Sequence, residues 1–184
     1  MPQQLAPVLA RFARTYPELR LEVEVGRSHE LRAAMAKGAL DLVLGKRRDG
    51  ETEGRLIWTE SIVWVGARGW EPEEGKPLPL AMLPKGCMFR DRALAALARA
   101  GMAFEIVYTS ASLLGVAAAA QAGFAITVLG RAGLPEGVVE IPGLPDAGTA
   151  PMCVFGDAEG RSAVVEPLIG FIREGLAAPA RAAA

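Results

Sequence analysis

Residues 19–45 read LRLEVEVGRSHELRAAMAKGALDLVLG. From Leu19 to Gly26, apolar and charged side chains alternate with a period of two, which predicts a strand with one face buried and the other in water. At Ser28 the period changes. Ser28 offers a side-chain oxygen to the orphan N–H groups of a helix start, Leu31, Ala34 and Met35 then share one helical face, and Gly38 marks the stop. Asp41 to Gly45, DLVLG, is short and apolar enough for a strand covered on both faces. Strand, helix and strand in one stretch make the repeating element of an α/β fold.

Working outward, Leu5, Val8, Leu9, Phe12 and Tyr16 recur at helical spacing and predict an amphipathic helix over 4–16, stopped by Pro17. Downstream, LIWTESIVWVGA (56–67) predicts one or two strands, and RGWEPEEGKPLP (68–79) carries the Gly, Pro and charge of a lobe boundary. The alternation then resumes: LAMLP as strand, Asp91 to Ala100 as helix, FEIVYT as strand, Ser110 to Gln121 as helix, FAITVLG as strand. Residues 130–150 are rich in Pro and Gly, with a short strand at Val138 to Ile141. PMCVF is a last strand; Val164, Val165, Leu168, Ile169 and Ile172 stripe a terminal helix, and the tail AAPARAAA is expected to fray. Two such blocks predict two α/β lobes with mainly parallel sheets flanked by helices: lobe I from 1–65 and 153–184, lobe II from 66–152. Ligands of such sheets collect at the carboxyl ends of strands, and two facing lobes make a cleft.

Composition excludes several classes. A chain of 184 residues that is 51% hydrophobic can bury a core, yet no run approaches the roughly 20 apolar residues of a membrane span. The N-terminus lacks a secretory signal, so the expected location is the cytoplasm. With 20 basic and 21 acidic residues there is no field to draw the chain onto a phosphate backbone. Cys87 and Cys153 lie far apart and His29 is the single histidine, so neither a metal site nor a disulfide framework is predicted. No G-x-G-x-x-G occurs, and GALDLVLGK (38–46) has the wrong spacing for a phosphate loop, so no cofactor is expected. The absence of Asn fits a heat-adapted source or a GC-rich genome.

The candidate ligand residues sit where strands hand over to helices. Tyr108 and Thr109 end a strand, and Ser110 or Ser112 begins a helix, whose free N–H groups suit a carboxylate or other anion. Gly26-Arg27-Ser28 makes the same corner in the first lobe, with Arg27 a candidate cation. PKGCMFRDRALAAL (84–97) places Cys87, Phe89 and Arg90 between a strand and a helix; Arg90 suits a bidentate carboxylate. Cys87 has no nearby histidine to act as its base.

These residues resemble a known family. Phe12, Tyr16, Pro17, Gly26, Ser28, Leu31, Gly38, Leu40 and Asp41 are similar to the first lobe of the effector-binding domain of LysR-type transcriptional regulators. In the second half the likeness continues through the G-C-x-x-R stretch at Gly86, Cys87 and Arg90, the Y-T-S-x-S-L stretch at 108–113, and A-G-x-x-x-T-V-L at 122–129. The resemblance implies a two-lobed type 2 periplasmic-binding-protein-like fold with a central cleft. It also implies a small-molecule effector held near Ser28, Cys87, Arg90, Thr109, Ser110 and Thr127, a homodimer, no catalysis, and DNA contact only through a head domain. The helix-turn-helix head, the linker helix and the strand expected before the first helix have no counterpart in these residues, and the familiar L-P-R is Leu129-Gly130-Arg131, which predicts a looser rim. A freestanding small-molecule-binding protein, an enzyme acting through Cys87, and a truncated remnant are the alternatives.

Overall fold

A computed structural model describes residues 2–156 and 162–177. The chain divides into two compact units, one of residues 1–60 and 151–184, the other of 61–150. The expectation for the tail falls on residues that lie, beyond Ala177, outside those described.

In the first unit, helix α1 (Pro2–Thr15) packs on helix α5 (Ser162–Ala177). Phe12, fully buried, meets Tyr16 at 4.8 Å and the edge of Phe171 at 5.4 Å between ring centroids. Gly175 permits the close crossing, because a Cβ there would collide with Val8 Cγ2. Helix α2 (Ser28–Ala36) covers strand β1 (Val43–Lys46), with Leu31 and Met35 packed on Val43, Cys153 and Phe155. Gly38 follows α2 at φ 76°, the left-handed stop that glycine adopts without a Cβ penalty. Strand β2 (Arg55–Gly66) leaves the unit after Glu60, and β7 (Thr149–Phe155) returns to it at Pro151. β1 pairs antiparallel with β7, Val43 opposite Phe155 and Lys46 opposite Met152.

The second unit contains β3 (Leu78–Met82), α3 (Met88–Arg99), β4 (Phe104–Thr109), α4 (Leu113–Gln121), β5 (Thr127–Gly130) and β6 (Val139–Glu140). β3 and β4 are parallel, and Leu80 forms a parallel bridge to Ile126. The later half of β2 pairs antiparallel with β5 and β6. Leu80, Met82, Leu97 and Ile126, each at most 1% exposed, centre the core under α3. Each such side chain contributes roughly 1.5–3 kcal/mol through burial.

Two expectations are corrected. The sheets are not mainly parallel: β3–β4 and the Ile126 bridge are parallel, because helices α3 and α4 supply the crossovers that parallel neighbours need. The ladders β1–β7, β2–β5 and β2–β6 are antiparallel. Residues 19–26 form no strand; Leu21, Val23 and Val25 are 36%, 53% and 71% exposed. Alternation prepares a chain for a sheet, but a ladder also needs an adjoining edge.

Candidate functional site

The corner after β4 is built from hydroxyls. Ser112, extended at φ −90° and ψ 125°, is the N-cap of α4, and its side chain accepts the N–H of Gly115 at 3.4 Å. Ser110 precedes the cap: its Oγ accepts the N–H of Ser112 at 3.1 Å, while its own N–H donates to the Met82 carbonyl at 3.2 Å. The helix therefore starts at Leu113 rather than at Ser110, because Ser110 Oγ satisfies the Ser112 N–H ahead of it and Ser112 Oγ then caps the Gly115 N–H of the first turn. Among the described residues, no partner takes the N–H of Leu113 or Leu114.

Gly115 holds this cluster together. A Cβ there would stand 2.7 Å from Ser110 Oγ and 3.5 Å from the Tyr108 hydroxyl, so a glycine in the first turn lets both hydroxyls lie against the helix. Tyr108 is 37% exposed and Thr109, at the end of β4, is exposed as well. The corner thus offers hydroxyls and unpaired backbone N–H groups to solvent. Such donors bind a carboxylate or another anion, and the positive end of the helix dipole favours the charge.

The neighbouring turn is differently employed. Arg90 donates from Nη1 to the Leu83 carbonyl at 2.9 Å, tying the end of β3 to the first turn of α3. Cys87 is the extended N-cap of α3 with a half-buried thiol and makes no side-chain cap bond. Phe89 is 8% exposed and belongs to the core with Ala93 and Leu97. Thr127 is 1% exposed and stands opposite Val65 in the β2–β5 ladder. Arg131, where a looser rim is expected, clasps Glu140 through two bonds of 2.8 Å.

In the first unit, Arg27 rather than Ser28 is the N-cap of α2, without a side-chain cap bond. Ser28 Oγ instead accepts the Lys46 N–H at 3.3 Å and touches Gly45, where a Cβ would lie 3.1 Å away. The hydroxyl is drawn to β1 because an edge-strand N–H offers it a partner. Arg27 forms an ion pair with Glu30 on the following turn; that bond raises the arginine's pKa and lowers the carboxylate's. Burial pushes the Cys153 thiol up.

The sequence reading missed Gly115, whose signal was a lone glycine inside an alanine-rich helix, and Lys46, whose backbone role has no sequence signal. The LysR substrate binding domain family matches residues 1–177. The chain belongs to this family. The LysR domain is 31% identical over 141 residues to the HTH-type transcriptional regulator DgdR of Burkholderia cepacia, covering 77% of this chain and 48% of that protein. It is 30% identical over 121 residues to PecT of Dickeya dadantii, covering 66% and 38%. The LysR domain thus spans about half the length, or less, of these curated relatives. In fold it is similar to the C-terminal domain of a probable LysR family regulator from Rhodococcus sp. RHA1, with a TM-score of 0.66 at 22% identity, covering 90% of each chain. The Synechocystis PCC6803 CcmR regulatory domain, solved in complex with 2-PG, gives a TM-score of 0.69 at 16% identity, covering 98% of this chain and 93% of that one. These likenesses give the LysR domain the periplasmic-binding-protein-like fold of LysR regulatory domains.

Proposed function

We propose that this LysR domain senses a small organic anion at the corner between β4 and α4 and couples that binding to self-association as a homodimer in the cytoplasm. The observation that carries the reading is the cluster of Tyr108, Ser110 and Ser112 around Gly115, beside the N–H groups of Leu113 and Leu114. In the second unit Cys87, Arg90 and Thr109 join the proposed ligand set, with Phe89 and Thr127 buried in the packing beside it; in the first unit Arg27 and Ser28, at the start of α2, are proposed as ligand contacts of that unit by itself. No catalysis is assigned to the chain: the second unit has no histidine to activate a hydroxyl or the Cys87 thiol.

Self-association is supported by the outward Leu21, Val23 and Val25, which leave a row of apolar side chains in solvent. DNA contact belongs, in this reading, to a head domain of the whole regulator, as the helix-turn-helix relatives suggest. A ligand can bias such an assembly only by its differential affinity for two arrangements.

Thermal unfolding against a panel of small carboxylates and aromatic acids tests the proposal. A ligand at 100 times its Kd adds about 2.7 kcal/mol, which corresponds to a rise in Tm of roughly 5–10 °C for a chain of this size. The Ser110→Ala variant should lose most of that rise. A full rise in Ser110→Ala would refute the assignment of the corner.

A further inference from the structure

The flank of α2 carries a cavity of about 350 Å³ between the helix and the loop 47–54 that joins β1 to β2. His29, Arg32, Lys46 and Arg48 line it together with two carboxylates, Glu51 and Glu53. Both carboxylates are spoken for by one cation. Arg32 donates from Nη1 to Glu51 Oε2 at 2.7 Å and from Nη2 to Glu53 Oε2 at 3.0 Å, and its guanidinium stacks 4.3 Å from the centroid of the Phe155 ring. The same Glu51 Oε2 accepts the backbone N–H of Arg48 at 3.1 Å. A guanidinium from a helix and a backbone N–H from a loop thus converge on a single oxygen. These are the donor types that recognise a free carboxylate or phosphate.

We propose that this groove is an anion site that the protein fills with its own Glu51, and that a compact dianion of the phosphate or dicarboxylate class displaces it. Arg32, Lys46 and Arg48 line the groove beside the two carboxylates. Arg32 is presented for the role, since its side chain is only 22% exposed and the Phe155 ring fixes its plane. Glu53 is a weak competitor, because its side chain is 79% exposed and a solvated ion pair contributes little. Glu51 is the stronger one, held by two donors.

Glycines stand at both ends of the loop segment that carries it. Gly50 and Gly54 bracket the two carboxylates with φ of 82° and 83°. Around Gly50 a Cβ would meet nothing within 4 Å, whereas at Gly54 it would lie 2.5 Å from the Phe155 ring. One end of the carboxylate-bearing segment is therefore wedged on the ring under Arg32, while at the other a turn closed by the Glu51 N–H on the Arg48 carbonyl at 3.1 Å leaves room for a Cβ at Gly50. An anion that took Arg32 would free the Gly50 end while the Gly54 end stayed anchored.

The site shares Ser28 with the first-unit corner, so the inference deepens the proposed ligand sensing, and the experiment separates the two. Calorimetric titrations with inorganic phosphate and with succinate, at matched ionic strength, are made on the unaltered chain and on Glu51→Gln, Arg32→Lys and Ser110→Ala. Glu51→Gln should bind at least one of the two dianions about tenfold tighter than the unaltered chain, because the internal competitor is gone. Arg32→Lys, which keeps the charge and loses the fork, should bind at least tenfold more weakly than the unaltered chain. Ser110→Ala should leave this binding unchanged even where it abolishes the thermal shift of a corner ligand. Equal affinity in Glu51→Gln and the unaltered chain for both dianions, or full affinity in Arg32→Lys, overturns the proposal.

Discussion

Replacing Gly115 by alanine should stabilise the chain only when Ser110 has already lost its hydroxyl. Alanine in a helix is favoured over glycine by about 0.8–1 kcal/mol, and α4 is otherwise a run of good helix formers. In the native chain the new Cβ would stand 2.7 Å from Ser110 Oγ, which must rotate away and give up its 3.1 Å bond from the Ser112 N–H. That bond is worth about 1 kcal/mol, so gain and loss nearly cancel. With Ser110→Ala in place the nearest atom of residue 110 is Cβ at 3.4 Å, an ordinary contact, and the full helix gain of about 1 kcal/mol should appear. The double-mutant cycle is read from urea denaturation midpoints of the four proteins, with a coupling of about 1 kcal/mol expected. An equal gain from Gly115→Ala in both backgrounds would show that Ser110 does not rest on this helix turn.

Gly54→Ala should cost several times more than Gly50→Ala: both residues carry φ near 82°, but only at Gly54 does the Cβ strike the buried Phe155 ring, adding about 1–3 kcal/mol of overpacking to the shared backbone strain; chemical denaturation of the two variants makes the comparison. Acid should weaken the fold through Glu51 and Glu166, whose carboxyls are held low, the first chiefly by the Arg48 backbone N–H and the second by Arg55. A lowered folded pKa means that the stabilisation is present above the unfolded value of about 4.3 and is lost as pH falls through the folded one, so Tm should be level at neutral pH and decline below about pH 4.5, less steeply in Glu51→Gln. Val23→Lys with Val25→Lys should lower the sedimenting mass of a self-associated species while leaving the unfolding midpoint within about 0.5 kcal/mol, since both side chains are exposed.

Local patterns were legible where local forces decide them. FEIVYT is the strand β4 that its composition predicts, and Leu5, Val8, Leu9 and Phe12 do lie on one helix. Phe89, expected among the ligand residues, packs in the core instead, with Ala93, Ala96 and Leu97 following it at helical spacing. What escaped depends on neighbours distant in sequence. Leu19 to Val25 has the alternation of a strand, yet pairing requires an edge supplied from elsewhere. Ser28 has the chemistry of a cap, yet the Lys46 N–H lies within reach and takes its oxygen. At the second corner the hydroxyls themselves were evident, whereas their dependence on Gly115 follows from the packing of β4 against α4. Nothing in the order of residues announces that Arg32 meets Glu51 and Glu53, because the intervening β1 sets that approach.

Backbone amide resonances followed during titration with a panel compound that raises Tm test the central claim most directly, with the compound recovered and analysed afterwards. Saturable shifts centred on 110–115 are expected, with those of Leu113 and Leu114 among the largest, and the ligand should be recovered chemically unchanged. Saturable binding that leaves 108–115 unmoved, or a ligand returned as a different compound, would contradict the claim.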